Sequence, residues 1–222
     1  MRIELGNLTG AGVPAADRLW SLSAALAHLR GFVSDKAGEL GKSAALSIAC
    51  PNLLVAPILV DSLTPALVQL LRNAIEHGVE RPVDRLVAGK PLTARIAVAV
   101  TAKPDHLLLE VSDDGAGIDP AAVVTAAFAA GAISQEAGTT ADPMTLLHHR
   151  GVTLAGGDTA RRGNGLKRAG QRLRAVGGTI AIHSEKGLGA SATITIPLSR
   201  IGTVIAPGQA LLDEGVPVQA RR

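Results

Sequence analysis

Aromatic side chains are nearly absent from this 222-residue chain, with two Phe, one Trp and no Tyr. Recognition of RNA or single-stranded DNA by stacking bases on aromatic platforms is therefore disfavoured. Because apolar residues still make up 47% of the sequence, the core has to be built from Ala, Val, Leu and Ile. Cysteine is almost missing too. Cys50 stands alone, which leaves neither a disulfide framework nor a thiolate metal site and fits a reducing, cytoplasmic setting. The opening Met-Arg-Ile-Glu-Leu-Gly-Asn has no apolar core of signal-peptide length, and no stretch of about 18 residues is uninterruptedly apolar, so no membrane insertion is expected. An excess of one charge is lacking as well: 22 Lys and Arg face 19 Asp and Glu. The basic residues gather at 161–174, which favours a local phosphate site over a nucleic-acid surface.

What is present is a pattern of alternating strands, amphipathic helices and glycine-rich corners. The length suits one domain with an appendage. Pro14 opens an expected helix over 15–40, with Leu19, Leu22, Leu26, Leu29 and Val33 at helical spacing. His28 on this helix lacks the acidic neighbour that helps a phosphorylated histidine, and reads as a solvated helix residue. Residues 43–50 alternate as a first strand, broken by 51–57. Thr64-Pro65 then has the form of a helix cap, followed by Leu67, Leu70, Leu71, Ala74 and Ile75 on one face and by Gly78 as the stop. Gln69, Asn73 and His77 follow at i, i+4 and i+8, a polar row on an otherwise apolar helix that is expected to face a site.

Residues 81–91 read as a charged loop, and 95–103 with 106–113 as an antiparallel hairpin. Helices are expected over 120–131 and 143–149. The glycine- and charge-rich 151–165 lacks apolar anchors and is expected to be mobile without a ligand. A basic helix over 166–176 is stopped by Gly177-Gly178, and 179–184 with 190–197 form a closing hairpin. Beyond Ser199 the tail is poorly patterned, as disordered termini are.

The chemistry concentrates in three places. At 107–120 a strand runs straight into Asp113-Asp114-Gly115-Ala116-Gly117. A carboxylate at such a strand end can accept from an exocyclic amine such as adenine's, while Gly115 and Gly117 let the backbone approach a flat ring. Asn73 offers a neutral oxygen suited to completing the shell of a Mg²⁺ that also holds phosphate oxygens. Arg161-Arg162-Gly163-Asn164-Gly165-Leu166-Lys167 places free N–H groups at a helix start, where phosphates bind. Read singly, the three are a turn, a surface Asn and a hinge. Their order and contexts agree with one another.

Together Leu67 through Gly78, Asp113 through Gly117 and Gly163-Asn164-Gly165 resemble the ATP-binding domain shared by histidine kinases, DNA gyrase B, Hsp90 and MutL. Asn73-Ala74-Ile75-Glu76-His77-Gly78-Val79-Glu80-Arg81-Pro82, Arg85 to Pro91, Gly177 to Ile180 and Ser184 to Gly189 are similar to the chemotaxis kinase (CheA) subgroup in particular. The resemblance covers 13–199. It implies a Bergerat-type two-layer α/β (α+β) sandwich, with a mixed sheet covered by helices on one face. It further implies ATP and Mg²⁺ as cofactors, with Asp113 on adenine, Asn73 on Mg²⁺, His77 lining the nucleotide, and Arg162, Gly163, Gly165 and Leu166 in a lid over the phosphates.

The implied function is transfer of the γ-phosphoryl group in trans to a histidine of another domain or protein, in a chemotaxis-type two-component system that would lead on to a response regulator. The implied division is a remnant of a dimerisation-type segment over 1–41, a catalytic domain over 42–199 and a tail over 200–222. Three departures stand out. Gln69 occupies the place of a histidine one turn before the Mg²⁺ asparagine, and His149-Arg150-Gly151-Val152-Thr153 that of a Phe-rich segment. No phosphoacceptor domain precedes the site and no receptor-coupling domain follows Ser199, so an excised domain or a stand-alone relative is expected. A nucleotide-binding regulatory module with little transfer is the alternative. A gyrase- or Hsp90-like ATPase would need an acid where Gln69 stands.

Overall fold

The computed structural model describes residues 19–133, 143–146, 152 and 165–200. Its centre is a five-stranded mixed sheet made of β2 (Ala44–Ala49), β4 (Ala94–Ala102), β5 (His106–Asp113), β7 (Gly189–Pro197) and β6 (Thr179–Glu185), in that spatial order. Only β2 and β4 run parallel; the other pairs are antiparallel. Alternation along each strand sends one set of side chains inward. Cross-strand register then lines up Val98 with Val111, Val111 with Ala192, Leu109 with Ile194 and Leu107 with Ile196 on a single face.

That face carries the core, and helices cover it. Leu22 and Leu26 of α1 (Leu22–Leu26), Leu29 and Val33 of α2 (Leu29–Glu39), Leu59, Leu63, Leu67 and Leu71 of α3 (Pro57–Asn73), and Leu173 of α7 (Gly165–Arg174) are buried against it. The opposite face presents Arg95, Ala99, Thr101 and Glu110 to solvent. The expected two-layer sandwich is what the chain forms. A smaller core joins Val123 and Ala127 of α5 (Pro120–Ala129) to Leu146 of α6 (Pro143–Leu146) and to Val152.

The expected strands, the antiparallel hairpin of 95–103 with 106–113 and the helices at 120–131 and 166–176 are found within a few residues of their predicted bounds. Three expectations need correction. The single helix over 15–40 is, in its described part, a two-residue strand β1 (Trp20–Ser21) followed by α1 and α2; β1 pairs with β3 (Leu54–Val55), and the Ser21 hydroxyl caps α1 by accepting from the Ala24 N–H at 3.3 Å. Exposed His28 sits at the junction of α1 and α2.

The helix assigned to Thr64 starts seven residues earlier, at Pro57. Pro57 fills the first helical position, whereas Pro65 lies inside the helix. Leu59 and Leu63 extend the stripe of Leu67 and Leu70 backwards, and burying them outweighs the hydrogen bond that Pro65 cannot make. Thr64 caps nothing, since its hydroxyl is buried without a hydrogen-bond partner. Lastly, the charged loop at 81–91 contains a helix, α4 (Pro82–Val87), organised around a fully buried Arg85.

One helix among the described residues, Pro57–Gly78, is long and apolar enough to cross a bilayer, with mean hydropathy 1.2, but 56% of that window is buried inside the protein. Its apolar stripe is spent on the core.

Candidate functional site

The site is built where α3 ends against the β5 corner. After Asn73 the chain widens into a π-helical turn, Ala74–Gly78, closed by the Val79 N–H donating to the Ala74 carbonyl at 2.7 Å. Single π turns inside helices recur at functional sites. Eight residues of straight α-helix make about 2.2 turns and so overshoot the starting direction by about a fifth of a turn. A π turn rotates less per residue, which returns His77 toward the row of Gln69 and Asn73.

Lys42, which the sequence reading passed over, holds this turn. Its ammonium donates to the carbonyls of Ile75 at 2.6 Å and Glu76 at 2.9 Å, placing a cation where helix carbonyls lack partners. Burial lowers the Lys42 pKa, and Arg81 lowers it further, while Glu76 and Glu80 raise it. Lys42→Met should cost about 1.5–3 kcal/mol, the worth of charged hydrogen bonds to otherwise unpaired carbonyls. Urea denaturation would measure it, and an unchanged midpoint would show that water replaces the ammonium without loss.

Within the polar row, Gln69 donates from Nε2 to Asn73 Oδ1 at 2.9 Å. The bond fixes the Asn73 amide with its oxygen toward Gln69. A carbonyl oxygen has a second lone pair, so Asn73 can still offer one ligand to a cation that brings water and phosphate oxygens with it. No group of three or more His, Cys, Asp or Glu suited to holding a metal by itself occurs among the described residues. This donor set fits a Mg²⁺ carried in on a polyphosphate. His77 is exposed, and protein packed around its ring pushes its pKa below the usual imidazole value.

The corner itself is a close interlock. Asp113 accepts from the Gly115 N–H at 2.9 Å, and the Ala116 N–H donates to the Gly78 carbonyl at 2.8 Å, which ties the π turn to the corner. A Cβ on Gly115 would overlap the Gly78 carbonyl. One on Gly117, whose φ is +67°, would overlap the carbonyl of Glu185. Glycine is required at both for that reason. Gly78 faces Asp113 as well, with space for a Cβ only 3.0 Å from the carboxylate. Burial pushes the Asp113 carboxyl above the usual carboxylate range, against the pull of N–H groups from Gly115 and Ala190, and Asp114 and Glu80 add to the rise.

A second group missed in the sequence lies directly behind the corner. Arg85 donates to Glu80 at 2.9 Å, to the Asp114 carboxylate at 3.0 Å and to the Pro91 carbonyl at 2.6 Å, while Lys90 donates to Glu80 at 2.8 Å. Burial alone would raise the Glu80 pKa, but the hydrogen bond from Lys90 and its other donors hold it below the usual value. The available signal was the run of Glu80, Arg85 and Lys90 beside a corner of two aspartates.

The structure thus brings Gly78, Asp113 and Gly115 together at the end of the helix that bears Gln69, Asn73 and His77. Gly165 begins α7, which packs against α3 and β6. Arg162, Gly163 and the rest of the expected lid over 151–164, apart from Val152, lie outside the described residues, as does the tail from 201. Burial raises the pKa of half-buried Cys50 to about 11, which leaves it an unreactive thiol at neutral pH. A cleft of about 700 Å³ between α1 and α3, edged by Trp20, His28, Asp61 and Thr64, is lined by none of the corner residues.

Comparison with known proteins bears on this geometry. Residues 60–200 match the family described as histidine kinase-, DNA gyrase B-, and HSP90-like ATPase. Chemotaxis protein CheA of Bacillus subtilis is 32% identical over 166 residues, covering 72% of this chain and 25% of its own length. The gliding motility regulatory protein of Myxococcus xanthus is 31% identical over 200 residues, covering 87% of this chain and 26% of its own. The chain therefore spans about a quarter of the length of these curated relatives. Among solved structures, the histidine kinase domain of a blue-light-activated kinase from Erythrobacter litoralis superposes with a TM-score of 0.51 at 15% identity, covering 85% of this chain and 66% of its own. Full-length ShkA in complex with AMPPNP gives 0.53 at 19% identity, covering 85% and 32%. At such identities these structures establish the shared fold.

Proposed function

The chain belongs to the histidine kinase-, DNA gyrase B- and HSP90-like ATPase family, and from that premise we propose that it binds ATP with Mg²⁺ and donates the γ-phosphoryl group in trans to a histidine of another domain or protein, as part of a chemotaxis-type signalling system with a response regulator downstream. The observation that carries this reading is the corner. A part-buried carboxylate, Asp113, is held between two glycines at the end of the helix that bears Asn73. Asp113 would accept from the adenine amine, Asn73 would supply one Mg²⁺ ligand, and His77 would line the nucleotide. Arg162, Gly163, Gly165 and Leu166 would close over the phosphates. When bound, Mg²⁺ neutralises phosphate charge. Transfer breaks the bond from the γ-phosphorus to the ADP oxygen and forms one to an imidazole nitrogen, so the protein's part is to position and to screen charge. The family membership, together with likeness to chemotaxis proteins of the CheA type, supports a kinase. We also propose the division already described: a dimerisation-type remnant over 1–41, the catalytic domain over 42–199 and a tail. A cytoplasmic setting goes with this reading.

A second reading, a nucleotide-binding module with little transfer, is favoured by one contact. Gln69 is engaged with Asn73, and an amide orients but does not exchange protons near neutral pH. Incubation with γ-labelled ATP and candidate acceptor proteins separates the two. Gln69→His is expected to raise the transfer rate by about 10²- to 10⁴-fold, the range of general acid–base assistance, with ATP affinity unchanged. A brisk wild-type rate that the substitution leaves alone would make Gln69 only a helix residue.

A further inference from the structure

Lys90 has three N–H donors, and all three are used. They reach Glu80 Oε1 at 2.8 Å, the Asp114 carbonyl at 3.0 Å and the Gly115 carbonyl at 2.6 Å. None remains for a phosphate, although the side chain is only one-fifth exposed and stands beside the corner. Arg85, with no exposed surface, adds a bond from Nη1 to the same Asp114 carbonyl at 3.3 Å. That carbonyl belongs to the peptide unit whose N–H, on Gly115, donates to Asp113 Oδ1 at 2.9 Å. One peptide is thus gripped at its oxygen by two cations and at its nitrogen by the Asp113 carboxylate. Charge on the oxygen polarises the unit and strengthens the bond its N–H makes. Glu80, two residues past the π turn, holds both cations, so the grip also spans from the end of α3 to the corner.

We propose that Lys90 and Arg85 are positioning residues for base recognition, acting through the Asp114–Gly115 peptide to fix the direction in which Asp113 presents its remaining lone pairs. The inference rests on the reading of Asp113 as the carboxylate that accepts from the adenine amine. Its consequence is discrimination. A carboxylate fixed in direction favours a purine with an amine at that position over one with a carbonyl, whereas a loosely held one can turn away from the mismatch.

The test is the ratio of dissociation constants for ATP and inosine triphosphate, measured by calorimetry on wild type, Lys90→Met and the double variant Glu80→Gln/Lys90→Met, with thermal melting to show that each is folded. The double variant removes the Glu80 charge, of which the single one strips Oε1 of its donor while Arg85 keeps Oε2 at 2.9 Å. Wild type is expected to prefer ATP, and both variants to lose about tenfold of that preference, the worth of one well-oriented hydrogen bond. An unchanged ratio in the variants would assign the network to the fold alone and overturn the proposal. So would recovery of the ratio in the double variant, which would show charge balance and not the grip to be what matters, or failure of both variants to fold. A wild type that does not distinguish the two nucleotides would instead overturn the reading of Asp113 itself, and the inference with it.

Discussion

Arg85→Met is expected to destabilise the protein by about 3–5 kcal/mol, the cost of removing one partner from a buried ion pair. Methionine fills much of the stem's volume, so the loss is electrostatic and not a cavity. It leaves Asp114 Oδ2, one oxygen of Glu80 and the Pro91 carbonyl without the donors they have now, while Asp114 Oδ1 keeps the Arg95 N–H at 3.0 Å. The low end of the range is expected, because Lys90 still bonds Glu80 and Asp114 keeps 34% of its side-chain surface in solvent, where water can take up part of its charge. Urea denaturation followed by circular dichroism would measure the shift. A loss below about 1 kcal/mol, the level of an exposed pair, would mean that water reaches the network freely.

Asp113→Asn should separate binding from stability, moving them in opposite directions. The amide has nearly the shape of the carboxylate and can still accept from the Gly115 N–H, but it puts a donor where an acceptor is needed. ATP affinity is expected to fall by about 1.5–3 kcal/mol, roughly ten- to a hundredfold. Stability should not fall. A carboxyl whose pKa is raised in the folded state takes up protons more readily there than in the unfolded chain. Its favourable contribution is complete below the unfolded value of about 3.9 and is lost as pH rises through the folded one. At neutral pH the wild-type charge is therefore a cost that Asn does not carry. Without nucleotide the variant is expected to match or exceed wild type at pH 7, with the difference changing in the wild type's favour as the pH is lowered into the acid range. Denaturation at a series of pH values would check this, and a neutral-pH loss of stability would show that the Asp113 charge is compensated where it sits.

Much of the fold was legible because it rests on local periodicity. The strands at 106–113 and 190–197 alternate cleanly, and both send their apolar set to the same face. The corner was legible because Asp113, Gly115 and Gly117 need particular backbone and side-chain chemistry at adjacent positions. What escaped depends on contacts distant in sequence. Thr64-Pro65 has the form of a cap, and only the burial of Leu59 and Leu63 carries the helix back through it. Charged residues at 81–91 read as solvated, since nothing local shows that the partners of Arg85 include Asp114, 29 positions away. The π turn has no periodic signature in five residues, and its tether to Lys42, 33 positions from Ile75, is a tertiary fact.

The central claim is that the Asp113 corner and the Asn73 helix form one site for Mg-ATP. Calorimetric titration of the wild-type chain with ATP, in the presence and absence of Mg²⁺ and repeated with Asn73→Ala, tests it most directly. The account predicts one ATP per chain, bound more tightly with Mg²⁺, with Asn73→Ala abolishing the gain from the metal while metal-free binding persists. No binding by the wild type, or a Mg²⁺ effect that Asn73→Ala leaves untouched, would contradict it.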